Sequence, residues 1–77
     1  MVSAYVLVSV EAGKNQEVVA ALRSLDAVKQ AHACWGRPDI FAFVEVADEP
    51  TLAEVVLTAI QGLPGVRTTE THIVAPV

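Results

Sequence analysis

The stretch VKQAHACWGRPDIFAFVEV, Val28 to Val46, decides the fold. At its middle, Gly36-Arg37-Pro38-Asp39 joins a residue of free backbone, one of fixed φ and one whose carboxylate can bond its own backbone, which is the chemistry of a tight turn. Ala31, Ala33 and Trp35 lead into the turn, and Ile40 to Val44 leave it without a single polar residue. Two such runs about such a turn predict a β-hairpin with strands over about Ala27–Trp35 and Asp39–Ala47. A strand that is apolar at every position is expected to be covered on both faces.

Upstream, Val2 to Val10 (VSAYVLVSV) reads as a first strand, with Ala4, Val6, Val8 and Val10 on one face and Tyr5, Leu7 and Ser9 on the other. Gly13 breaks it. Asn15 is the expected N-cap of a helix running to about Leu25, whose Val18, Leu22 and Leu25 recur at helical spacing beside Val19 and Ala21. Lys29, Gln30 and His32 make the second strand polar enough for a sheet edge.

Downstream, Asp48-Glu49-Pro50-Thr51 signals a second helix, with Thr51-x-x-Glu54 as the expected capping box. Leu52, Val55, Val56, Ala59, Ile60 and Leu63 keep helical spacing, and Gly62 and Pro64-Gly65 stop it. A last strand over about Val66 to Ala75 alternates Arg67, Thr69, Thr71 and Ile73 against Thr68, Glu70, His72 and Val74, again edge-like.

The order is β-α-β-β-α-β, and the halves echo each other, Val8-Ser9-Val10 against Val44-Glu45-Val46 and Val18-Val19 against Val55-Val56. Right-handed crossovers place both helices on one face. The expected fold is α+β, a ferredoxin-like sandwich whose four-stranded antiparallel sheet has the order 4-1-3-2. The most apolar strands, the first and third, lie at its centre. The helices leave the other face bare, with Tyr5, Leu7, Phe41 and Phe43 on it. At about 25 cal/mol per Å² its cover is worth several kcal/mol, which predicts a face-to-face pair, a dimeric α+β barrel.

Seventy-seven residues make one domain, 1–77. With 53% hydrophobic residues, 18% charged and a mean hydropathy of +0.49, the chain carries more apolar matter than a domain this small can hide, which again points to association. The longest apolar run is too short for a membrane span, and no basic leader precedes a cleavable apolar segment. A cytoplasmic protein is expected. The net charge of −4, with Lys14, Arg23, Lys29, Arg37 and Arg67 scattered, argues against direct nucleic-acid binding. The lone Cys34 reads as a small buried hydrophobe, Trp35 as a packing or interface residue, and His32 and His72 as solvated strand residues rather than metal ligands.

The motif Val28…Trp35-Gly36-x-x-Asp39 before an apolar strand, and Leu63-Pro64-Gly65-Val66-x-x-Thr69-x-Thr71-x-Ile73-Val74 at the end, resemble the ligand-binding (RAM) domain of the Lrp/AsnC, or feast/famine, regulators. The resemblance spans nearly the whole chain. Such regulators carry an N-terminal helix-turn-helix, whereas this sequence starts at the first strand, so the resemblance implies a stand-alone effector-binding module. It implies sheet-paired dimers assembling into higher oligomers, contacts with full-length Lrp/AsnC regulators, a role in transcriptional regulation and no cofactor. It further implies an amino acid bound between subunits near Gly36, Arg37 and Asp39 and near Thr69 and Thr71. Asp39 would take the ammonium, and hydroxyls and N–H groups the carboxylate. On residue type alone, Gly36 and Asp39 are turn residues, and Thr69 and Thr71 are ordinary edge-strand residues. The family often has an aromatic residue before the Asp; this chain has Pro38.

The alternative is an enzyme of the dimeric α+β barrel type, monooxygenase- or isomerase-like, which needs a polar group in a cavity between helices and sheet. The expected helix-facing residues Val6, Val8, Leu22, Ile40, Val44, Val46, Val55 and Ile60 are all aliphatic.

Overall fold

The computed structural model describes residues 1–77. Strand β1 (Val2–Val10) leads to helix α1 (Asn15–Arg23), then to β2 (Val28–Ala33) and β3 (Ile40–Val46). Helix α2 (Glu49–Glu54) runs on directly into a π-helical segment, Val55–Ile60, before β4 (Val66–Ile73). The sheet order is β2-β3-β1-β4, with all pairings antiparallel, as the sequence predicts. Tyr5 opposes Phe43 and Leu7 opposes Phe41 across the central pair.

Even residues of β1 (Ala4, Val6, Val8, Val10) and of β3 (Ile40, Ala42, Val44, Val46) are all buried under the helices. They meet Val18, Val19 and Leu22 of α1, and Leu52, Val56 and Ile60 of the second helical run. The 16 buried residues are all apolar. Val55, expected in this layer, is only partly buried and packs at its margin.

Leu52, Val56 and Ile60 are spaced by fours. That spacing outruns an α-helical turn by roughly 40° per step, at 3.6 residues per turn. The wider turn over Val55–Ile60, closed by Gln61 N–H donating to the Val56 carbonyl at 2.9 Å, takes the drift back and keeps Ile60 fully buried. Gly62 then passes so near the widened turn that a Cβ there would lie 2.5 Å from the Thr58 carbonyl oxygen.

Several local expectations are corrected. The N-cap position of α1 is Lys14, which makes no side-chain cap bond, and the helix ends at Arg23 rather than Leu25, with Ser24 Oγ donating to the Ala21 carbonyl at 2.6 Å. Asp48, not Thr51, caps α2. Its Oδ1 accepts from Thr51 N–H at 2.9 Å and from Thr51 Oγ1 at 2.6 Å, and those bonds, the hydroxyl first, lower the Asp48 pKa below its ordinary value. An acid one residue before the Pro-containing first turn outcompetes the hydroxyl for that role. Strand β2 stops at Ala33, two residues short of Trp35, and β4 stops at Ile73.

The β2 edge of the sheet is managed from within the chain. At β2, Arg23 of α1 lays its guanidinium along the strand, and Nε and Nη2 both donate to the Ala31 carbonyl, at 3.0 and 2.8 Å. Lys29 sits where the β2–β3 register slips. No helix is long and apolar enough to cross a membrane.

The helix-free face carries Tyr5, Leu7, Phe41 and Phe43. Tyr5 and Phe43 pack with ring centroids 5.0 Å apart, while Tyr5 stays 49% and Phe41 39% exposed.

Candidate functional site

The link between β2 and β3 is a six-residue loop, Cys34 to Asp39, wider than the tight turn its residue types predict. Cys34 N–H donates to the Asp39 carbonyl at 2.7 Å and closes its base. Gly36 sits at φ +106°, in the left-handed region where a side chain is strained, and the Arg37–Pro38 peptide is cis. Trp35 points into solvent, fully exposed, and Cys34 is half-buried rather than buried.

Asp39 ties the loop to the sheet: its Oδ2 accepts from Val10 N–H at 3.0 Å. Val10 lies where the β1–β4 register slips, so its N–H is met by a carboxylate at the slip. A half-buried Asp is thereby fixed at the end of β1, with its second oxygen free for a ligand.

Around it lies an open cleft of about 400 Å³, lined by Arg37 and Asp39 from the loop, Ser9 and Val10 from β1, and Arg67 and Thr68 from β4. A second cleft of about 490 Å³ adjoins it and shares Ser9, Arg37 and Thr68, adding Leu7, Pro38, Thr69 and Glu70. Both volumes lie in the range of small-molecule sites, roughly 300–1,000 Å³. The clefts occupy the rim of the helix-free face, beside Leu7 and the aromatic patch.

Of the five residues expected at a site, Arg37, Asp39 and Thr69 border these clefts, and Gly36 shapes the loop. Thr71 does not join them. It opposes Val6, on the helix side of the sheet, and lines a separate apolar groove of about 300 Å³ with Leu52, Val56 and Ile73. Thr69 borders the second cleft by its place in the strand, but it opposes Val8 and so shares the helix side with Thr71, where its hydroxyl accepts from Gln61 Nε2 at 2.7 Å.

Ser9, Arg67 and Thr68 were not expected at the site. Ser9 and Thr68 are register partners, a fact that follows from pairing the strands rather than from either strand alone. Arg67 belongs by alternation with Thr69 and Thr71; the slip at Ser9/Val10 leaves it unpaired and brings it to the cleft instead. His72 Nε2 meets Glu70 Oε2 at 2.6 Å on the helix-free face, and His32 is exposed opposite Phe41. No group of His, Cys, Asp and Glu is arranged to hold a metal ion.

The Lrp/AsnC ligand binding domain family matches residues 3–75. The crystal structure of FFRP-DM1 superposes with a TM-score of 0.93 at 31% identity, covering 97% of this chain and 100% of that one. AsnC of E. coli superposes with a TM-score of 0.89 at 29% identity, covering 99% of this chain and 53% of that one. A transcriptional regulator of Neisseria meningitidis, NMB0573, solved in complex with L-Met, shares the fold with a TM-score of 0.86 at 22% identity, covering 96% of this chain and 49% of that one. No curated protein matches the sequence.

Proposed function

Since the chain belongs to the Lrp/AsnC ligand binding domain family, whose members regulate rather than catalyse, we propose that it binds a free amino acid at the Arg37–Asp39 clefts and signals through assembly of its copies. The observation that carries this reading is the placement of Asp39. A carboxylate held by Val10 N–H, beside unpaired guanidinium and hydroxyl donors, matches the ammonium and carboxylate of an amino acid. The L-Met complex of the Neisseria regulator lends support at the level of ligand class.

The clefts open at the rim of the bare aromatic face. A second copy laid on that face covers Tyr5, Leu7, Phe41 and Phe43 and closes the clefts between subunits, so that ligand and pairing are coupled. Pairs then join into larger assemblies, with each other or with full-length regulators of the family, and so act on transcription in the cytoplasm. Gly36, Arg37 and Asp39 supply the loop side of the site, and Ser9 and Thr68 the strand-side hydroxyls. Thr69 and Thr71 both lie on the helix side of the sheet, opposite Val8 and Val6, and serve it only indirectly.

The enzyme alternative needs a polar group between helices and sheet, and that layer is filled by aliphatic side chains. Light scattering with and without each proteinogenic amino acid is the test. A dimer or larger species whose mass or melting temperature responds to one of them is expected; no response at millimolar concentration to any of them refutes the effector role.

A further inference from the structure

Arg37 and Arg67 come from different elements, a loop and a strand, yet line one cleft. They are two of only five Lys and Arg residues in a chain of net charge −4. The two ion pairs of the chain, Lys14–Glu17 and His72–Glu70, involve neither of them. Neither guanidinium donates a hydrogen bond within the chain, unlike Arg23, whose bonds are both made. The only acid in the same cleft is Asp39, one oxygen of which is taken by Val10 N–H. Glu70, in the adjoining cleft, is engaged by His72.

Resting on the effector reading above, we infer that the ligand is an amino acid with two carboxylates, of the aspartate or glutamate kind. The charge pattern is one fixed acceptor of an ammonium against two separate planar donors of bidentate bonds to carboxylates. A neutral amino acid satisfies Asp39 and one arginine and leaves the second guanidinium without an anion. A basic amino acid adds repulsion to that deficit. A dicarboxylic acid without an amine meets both arginines but leaves Asp39 facing an anion. Only an acidic amino acid matches all three, with the Ser9 and Thr68 hydroxyls beside them as neutral donors. The β-bulge makes this possible: in a regular ladder Arg67 would share the helix side with Thr69.

Isothermal titration of the full chain with L-glutamate, L-aspartate, L-glutamine, L-methionine, L-lysine and 2-oxoglutarate tests it. L-glutamate or L-aspartate is expected to bind about tenfold or more tighter than L-glutamine, the scale of one charge-assisted contact. Arg67→Gln is expected to weaken L-glutamate far more than L-glutamine and so abolish that preference, and Asp39→Asn to narrow the gap between L-glutamate and 2-oxoglutarate. Both variants change exposed or half-buried side chains, and circular dichroism verifies their fold. Tighter binding of L-methionine, L-glutamine or L-lysine overturns the inference while leaving the effector role standing. Equal binding of 2-oxoglutarate overturns the part given to Asp39. Binding of none of these ligands overturns the inference, and silence from all the proteinogenic amino acids in the light-scattering test overturns the effector role itself.

Discussion

Replacing Tyr5 by glutamate should split the proposed dimer without unfolding its halves. Tyr5 is 49% exposed in the isolated chain, so its face already meets water and a carboxylate there costs the monomer little. An aromatic side chain offers roughly 200 Å² of surface, about half of it uncovered here. Pairing hides that half on each of two protomers, about 200 Å² in all, worth about 5 kcal/mol at 25 cal/mol per Å². Loss of that contribution weakens the dissociation constant by about three to four powers of ten, at 1.4 kcal/mol per factor of ten. Burial of two carboxylates acts in the same direction. Light scattering on a dilution series, with far-ultraviolet circular dichroism as the folding control, reads the outcome. A wild-type chain that scatters as a single protomer at micromolar concentration refutes the covered face, and so does a Tyr5→Glu chain whose mass is unchanged.

Other perturbations have equally defined outcomes. Ile60→Ala empties a fully buried site over the sheet and should cost about 2–5 kcal/mol in urea unfolding. Gly36→Ala should destabilise by about 1–3 kcal/mol through backbone strain alone, since φ is +106° there and an added Cβ meets nothing within 4 Å; a neutral result removes the strain account. Asp48 has a pKa lowered from 3.8, chiefly by the Thr51 hydroxyl, so the folded state prefers its charged form. Its contribution is complete above pH 3.8 and fades as pH falls through the lower folded value, and thermal melts of Asp48→Ala should lose that segment of the acid limb while keeping a lower melting temperature at neutral pH.

The sheet and its exposed face were legible because they rest on period-two patterning over whole strands, which packing against two helices reinforces. Val6, Val8, Ile40 and Val44 lie inside, and Tyr5 and Phe43 outside, as alternation requires. What escaped was decided by single contacts. Asp48 and Thr51 are both competent caps, and only the bond geometry chooses between them. The π-helical turn at Val55–Ile60 uses the same apolar residues as an α-helix would, with the difference carried by how they sit on β-strands from elsewhere in the chain. At the site, Arg37 and Asp39 follow from the loop motif, whereas Arg67 depends on a one-residue slip between Ser9 and Val10. Thr69 and Thr71 show the converse: their spacing puts both hydroxyls on one face as expected, but that face is the helix side, where Thr69 meets Gln61 and Thr71 lines another groove.

The pair of hydrogen bonds that Arg23 donates to the Ala31 carbonyl bears on how copies of this chain can meet. An unguarded outer strand would let protomers add edge to edge, one ladder extending the next without limit. With that rung occupied from within, sideways polymerisation is hindered at β2, and the flat aromatic surface is the larger apolar one left for self-recognition. A chain whose outer strand is guarded in this way is steered away from fibres.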